Sequence, residues 1–196
     1  MASMIRVGIG FDIHRLAEGR RLVLAGVEVP HSLGALAHSD GDVVLHAVAD
    51  ALLGAAGLGD IGEHFPDTDP AWKDADSAAL LSRVVKMLSS RKWRVLNVDV
   101  NIMLERPKLA AHKAAMRGRL AELLGLAADA VGLKARTMEG LGDIGEGRAV
   151  AAQAVVLVAR IPGGRPKPPA EGKQVSWTDV WERIFLTGNL FDAGSD

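Results

Sequence analysis

Eleven residues, Met4 to His14 (MIRVGIGFDIH), limit this chain more than any other stretch of it. Ile5, Val7 and Ile9 alternate with small or polar residues, the pattern of a strand. Side chains two apart on a strand point to the same face, so Asp12 and His14 converge on one point. A carboxylate oxygen and an imidazole nitrogen at that spacing suit Zn²⁺, which needs one more protein ligand and keeps an open position when it is catalytic. Taken alone, an Asp-x-His at a strand end is more often a turn with a surface histidine than a metal site.

Residues 34–50, GALAHSDGDVVLHAVAD, offer the missing ligand. Ser39, Asp40 and Gly41 are residue types that start helices, and Val44, Leu45, Val48 and Leu52 follow at helical spacing. On that helix Asp42, His46 and Asp50 fall at i, i+4 and i+8, a single polar stripe. Such a stripe is commonly the solvated face of an amphipathic helix. This one is short, acidic around a lone histidine, and runs into the small-residue segment GAAGLGDIG, which suits close packing. Asp12, His14 and His46 together make a one-carboxylate, two-imidazole set with a free fourth position.

Composition removes several classes of function. With 196 residues, the chain can bury a real core as one ordinary domain. Its formal net charge is −1, with both signs mixed along the chain, which argues against a nucleic-acid or membrane-surface partner. It has no cysteine, so disulfides and thiolate metal sites are excluded. No segment reaches the roughly 18 uninterrupted apolar residues of a membrane span. The expectation is a soluble, cytoplasmic protein.

Helical and strand periods interleave. Residues 21–29 suggest two short strands bent at Gly26. Leu80, Leu81, Val84, Met87 and Leu88 predict a helix over 76–90, capped by Asp74 or Asp76. Residues 95–104 alternate, with Leu96, Val98, Val100, Ile102 and Leu104 on one face and Asn97, Asp99 and Asn101 on the other. Residues 109–124 read as a helix with Met116, Leu120, Leu123 and Leu124 inward. Val131, Leu133, Ala135 and Thr137 make a second alternating strand, and AVAAQAVVLVAR (149–160) a buried one. The fold class expected is α+β, with helices packed on one face of a mixed sheet.

Four segments carry a family resemblance: GFDIH (10–14), LAHSDGDVVLHAVADALLGAAGLGDIGEHFPDTDP (36–70), ERPKL (105–109) and KARTMEGLG (134–142). In order and spacing they resemble the 2-C-methyl-D-erythritol 2,4-cyclodiphosphate synthases of the non-mevalonate isoprenoid pathway. The resemblance covers residues 4 to about 160, so residues 1–160 are read as the catalytic domain. It implies a homotrimer with the sheets towards the threefold axis and active sites between subunits.

It also implies a reaction: 4-diphosphocytidyl-2-C-methyl-D-erythritol 2-phosphate closes to the 2,4-cyclodiphosphate and releases CMP. Zn²⁺ on Asp12, His14 and His46 would polarise the β-phosphate, and Glu139 would hold a second ion, Mg²⁺ or Mn²⁺, with the substrate phosphates. His38 and Thr137 match transition-state-stabilising positions, and His38 with Ser39 could hydrogen-bond the transferring oxygens. Asp12, Ile13 and His14, with Asp60, Ile61, Gly62, Phe65, Pro66, Asp67, Thr68 and Asp69, match positions that hold the substrate. Leu104, Glu105, Arg106, Pro107, Lys108, Leu109 and Ala110 match those that take its cytidine diphosphate portion. Lys108 is read as lying beside a helix N-terminus, a frequent phosphate seat. Arg136, Thr137, Met138 and Glu139 complete the set. Rival readings are a zinc phosphoesterase of other specificity and a non-catalytic trimeric binding protein.

The chain departs from the family after Gly142. Where the family runs roughly G-F-x-G-R-G-E-G, Asp143 and Glu146 replace an aromatic residue and an arginine, so no binding role is carried onto them. Arg136 stands in place of a threonine, and strand alternation puts it opposite Thr137. Residues 161–196 lie outside the resemblance. IPGGRPKPPAEGK reads as a linker. Trp177, Trp181 and Phe185 then recur at i, i+4 and i+8, as on a short amphipathic helix that docks on its own trimer.

Overall fold

The computed structural model describes residues 4–72 and 74–160. The linker and helix expected over 161–196 lie outside the described residues. In chain order the elements are β1 (Met4–Glu18), β2 (Leu22–Leu24), β3 (Val27–Val29), β4 (Leu33–Leu36), α1 (Val43–Ala56), α2 (Ile61–His64), α3 (Ser77–Ser90), β5 (Trp93–Met103), α4 (Lys113–Leu124), β6 (Val131–Arg136), α5 (Gly142–Gly145) and β7 (Ala149–Arg160).

Five strands form one mixed sheet in the order β4-β1-β7-β5-β6. β5 and β6 run parallel and every other neighbouring pair is antiparallel. β7 lies in the middle, which explains its unbroken apolar sequence: Val150, Ala152, Ala154, Val156 and Val158 are all fully buried. The α+β class with helices on one face is the one expected. α1, α3 and α4 build that layer around Leu45, Leu52, Leu53, Leu81, Leu88, Met116 and Leu120.

Two glycines set how closely α1 lies on the sheet. A Cβ on Gly8 would stand 1.9 Å from the Ala51 carbonyl oxygen, and one on Gly10 would stand 2.0 Å from that of Ala47. The helix backbone therefore rests directly on β1. Gly8, Gly10, Asp12 and His14 share this inward face.

Their neighbours Ile5, Val7, Ile9, Phe11 and Ile13 point the other way and form an uncovered apolar ribbon; Val7 and Ile9 are 65% and 64% exposed. Across the same outer face, β5 and β6 carry polar groups, with Lys134 paired to Asp99 and Arg136 Nε donating to Asn101 Oδ1 at 2.8 Å.

Local details refine the sequence-based expectations. Asp42 is the N-cap of α1 and is fully buried, so it is not part of a surface stripe. Its carboxylate accepts from the N–H groups of Val44 (3.0 Å), Leu45 (3.1 Å), Ala25 (2.9 Å) and Gly26 (2.6 Å). The last two belong to the β2–β3 turn, where Ala25 and Gly26 have φ of 55° and 71°. Positive φ at both positions is the type I′ hairpin geometry, and through these bonds Asp42 both caps the helix and secures this turn. Asp76 caps α3 through Ala78 N. α4 begins at Lys113, four residues later than expected, because residues 110–112 form a turn closed by Lys113 N on Leu109 O at 3.1 Å. β6 ends at Arg136, leaving Thr137 just beyond the strand. A bulge between Val95 and Asn97 explains why Val95 and Leu96 are both buried.

Candidate metal centre and surrounding loops

Asp12 and His14 reach the inward face of β1 near its end, and His46 stands one turn into α1 directly opposite. The helix is held there by the glycine contacts, so the third ligand depends on packing 34 residues away from the first. His46 Nδ1 is 2.8 Å from Asp12 Oδ2, and His14 Nε2 is 3.5 Å from the same oxygen. The imidazoles meet edge to face, 5.4 Å between centroids. One ligand atom from each of the three residues lies within 4.8 Å of the other two, the single such group among the described residues.

The donor chemistry fits a divalent metal. His14 Nδ1 lies 2.8 Å from the carbonyl oxygen of Ile13, which places the proton on Nδ1 and leaves Nε2 as a lone-pair donor. That Nε2 is buried and has no hydrogen-bond partner. A buried acceptor without a donor is costly, and a cation held with Asp12 and His46 would satisfy it. Burial disfavours a charged His46 ring, but the hydrogen bond to Asp12 and the charges of Asp12, Asp42 and Asp40 carry its pKa above the ordinary value.

Other sequence-selected residues surround this centre. His38 and Ser39 sit in the loop before α1; Ser39 Oγ is 3.2 Å from His46 Nε2. Asp60 caps α2 by accepting from Glu63 N at 2.9 Å, and Ile61 N donates to Asp50 Oδ1 at 2.8 Å. Asp50, one turn beyond His46, thereby ties the 60–62 turn to the helix that carries His46. Burial raises its pKa, an effect only partly offset by that N–H. Gly62 and the exposed Asp67, Thr68 and Asp69 continue the loop. Pro66 O accepts from Asp69 N, and Phe65 packs edge-on against Trp72 at 5.0 Å. Arg83 in turn lies over Trp72 at 4.8 Å, pinning the far end of the loop to α3.

The remaining set lies across the sheet. Leu104 N bonds to Arg136 O at 3.0 Å, and Glu105 accepts from Met138 N at 3.2 Å, so residues 104–110 and 136–139 form one unit at the ends of β5 and β6. Leu109 is buried beneath it, while Arg106, Lys108 and Ala110 are exposed. Because α4 starts at Lys113, Lys108 does not adjoin a helix N-terminus; any part it has in phosphate binding is that of a side-chain charge. Thr137 Oγ1 donates to Glu139 Oε1 at 3.0 Å, and Glu139 is held at φ 53°. Arg136 faces the outer sheet surface, as its alternation requires. Asp143 and Glu146 both pair with Arg148, Asp143 through Arg148 Nε at 2.8 Å, so one guanidinium is shared by two carboxylates and the turn keeps a net negative charge.

With this geometry in place, comparison with known proteins is decisive. The YgbB family model matches residues 5–159. The chain belongs to the YgbB family. It is 53% identical over 156 residues to the 2-C-methyl-D-erythritol 2,4-cyclodiphosphate synthase of Dechloromonas aromatica, covering 80% of this chain and 98% of that one. A solved 2C-methyl-D-erythritol-2,4-cyclodiphosphate synthase in a form bound to CDP superposes with a TM-score of 0.73 at 46% identity, covering 78% of this chain and 99% of that one. The bifunctional IspDF of Campylobacter jejuni superposes at 0.79 with 41% identity over 82% of this chain, which spans only 43% of that longer polypeptide. The synthase resemblance read from the four sequence segments is thus borne out. Among the described residues, no helix is long and apolar enough to cross a membrane.

Proposed function

We propose that this chain carries out the synthase reaction of its YgbB-family relatives with Asp12, His14 and His46 as the ligands of Zn²⁺. The carrying observation is the convergence of these three groups around the partnerless, buried Nε2 of His14. Bound there, the metal supplies a Lewis acid for a phosphate oxygen. The substrate is 4-diphosphocytidyl-2-C-methyl-D-erythritol 2-phosphate, whose 2-phosphate oxygen attacks the β-phosphorus. A P–O bond forms to that phosphorus, the bond to the α-phosphate oxygen breaks, and CMP leaves with the electron pair. The nucleophile is already ionised and tethered, so the protein's task is to fold the substrate back and neutralise charge.

His38 and Ser39 donate to the transferring oxygens, and residues 60–69 hold the erythritol part through backbone N–H groups and carboxylates. Residues 104–110 hold the cytidine diphosphate part. Thr137 donates to the phosphates, and Glu139 keeps the Mg²⁺ or Mn²⁺ carried by them.

The active unit is a homotrimer. Two features support this: the uncovered apolar ribbon of Ile5, Val7, Ile9, Phe11 and Ile13 on β1, and the separation of the two half-sites. From β1 through β7 and β5 to β6 there are three strand steps, which puts β6 roughly 14 Å from β1. Thr137 and Glu139 are thus remote from the Asp12 centre of the same chain. A neighbour's 104–110 and 136–139 unit facing that centre would bring the halves together.

The test is release of CMP from the cytidylated 2-phosphate substrate, with and without chelator, beside generic phosphodiesters. Metal-dependent CMP release confined to the cytidylated substrate supports the reading. Hydrolysis of generic phosphodiesters instead would favour a phosphoesterase.

A further inference from the structure

Ser77 belongs to none of the groups described so far, yet it is a buried polar residue, 1% exposed, at the first position of α3. Its Oγ lies 2.9 Å from His46 Nε2, the ring nitrogen facing away from Asp12 and His14. The same hydroxyl is hydrogen-bonded to Asp40 Oδ1. Asp40 Oδ2 accepts from Ser77 N at 3.2 Å, so the carboxylate grips this residue by both backbone and side chain.

Proton bookkeeping makes the chain directional. Asp40 is an acceptor, so the Ser77 hydroxyl donates to it. The Ser77 oxygen is then free to accept, and the available donor is His46 Nε2–H. With its proton on Nε2, neutral His46 presents a lone pair on Nδ1, the atom 2.8 Å from Asp12 Oδ2. Ser39 Oγ is also near Nε2, at 3.2 Å, but among the described residues no carboxylate accepts its proton, and it accepts from Gly41 N.

We infer that Ser77, backed by Asp40, is a positioning residue that fixes the tautomer and ring orientation of His46 for metal binding. A carboxylate or hydroxyl behind a ligating histidine commonly has this effect, and its loss weakens metal binding about 10- to 100-fold. The arrangement also links the loops. Asp74 N bonds to His38 O at 2.8 Å and Asp40 N to Ala75 O at 3.2 Å, so the strand-like contact that seats Ser77 beneath His46 also holds His38.

The inference rests on the metal reading above, and the experiment separates the two. Full-length protein, Ser77→Ala and Ser82→Ala are loaded with zinc and titrated with a competing chelator. Ser82 is a matched control: its hydroxyl, on the same helix, donates to Ala78 O and to nothing else among the described residues. Ser77→Ala should bind zinc 10- to 100-fold more weakly, with Ser82→Ala unchanged. Absence of zinc binding by the unmodified chain would overturn the metal reading. Equal affinity in unmodified chain and Ser77→Ala would overturn the inference alone. Nitrogen-15 NMR of the zinc-loaded unmodified chain gives a readout that needs no variant to fold. It should show a slowly exchanging proton on His46 Nε2 and metal on Nδ1; zinc on Nε2 would also overturn the inference.

Discussion

Gly10 rests against the carbonyl oxygen of Ala47, with 2.0 Å where a Cβ would need to be. Ala47 follows His46 directly, so this contact sets the distance between the helix that carries His46 and the strand that carries Asp12 and His14. Gly10→Ala must push α1 outward. Overpacking of this kind costs about 1–3 kcal/mol. Chemical denaturation should show that loss, and zinc affinity should fall with it. A variant as stable and as zinc-avid as the unmodified chain would mean that the helix has slack the packing does not reveal.

Purified protein should contain about one zinc per chain, lost in His46→Ala, as measured by elemental analysis. Retention of zinc in that variant would remove His46 from the ligand set. Affinity should also depend on pH. Because Asp12 and the other nearby acids hold a proton on His46 above its ordinary pKa, zinc must displace it. Below that raised value the apparent affinity should drop about tenfold per pH unit.

Asp42 offers a test of pH-dependent stability. Burial pushes its carboxyl up to about 6 from 3.8, against the pull of the N–H groups of Gly26, Leu45 and Ala25, with the charge of Asp40 adding to the rise. Between about pH 4 and 6 the folded chain keeps a proton that the unfolded chain releases. Stability from this group is therefore present at the acid side of the window and lost as pH rises through 6, by at most about 3 kcal/mol. Asp42→Asn cannot titrate and loses an acceptor for the β2–β3 turn. The advantage of the unmodified chain over Asp42→Asn should grow as pH is lowered from 7.5 to 4.5; a constant or shrinking advantage would contradict this account.

Glu139→Gln should stay folded and zinc-loaded while CMP release falls by on the order of 10²-fold, the scale of losing a key electrostatic group. Near-normal turnover would place the second ion elsewhere.

Composite sites predict complementation. Inactive His14→Ala and inactive Glu139→Gln subunits, once mixed and exchanged, should recover part of the activity, because some interfaces pair two intact halves. Continued inactivity after demonstrated exchange would mean that each site is built within one chain.

Much of this arrangement is legible in the sequence because it follows local periods. The alternation around Asp12 and His14 places both on one strand face, and the apolar spacing after Gly41 puts His46 on a helix. The approach of that helix to β1 is written only in Gly8 and Gly10, whose spacing means little until a helix backbone is seen against them. Asp42 is misread as part of a polar stripe for a similar reason: its partners Ala25 and Gly26 are 17 and 16 residues away. The start of α4 is displaced because Leu109 has an apolar side chain that fits the helical period yet belongs to the preceding turn. Ser77 gives no signal at all, since a serine after an aspartate looks like ordinary capping.

β1 has two faces with different duties and a single backbone between them. Asp12 and His14 look inward to the candidate metal centre, while Phe11 and Ile13, interleaved with them, look outward on the apolar ribbon. No hinge or loop separates these sets, so any shift of the strand imposed on its outer face is also a shift of the two candidate ligands. Substitutions at Phe11 and Ile13 are consequently a way to tune the centre from the surface, without touching any residue that reaches it.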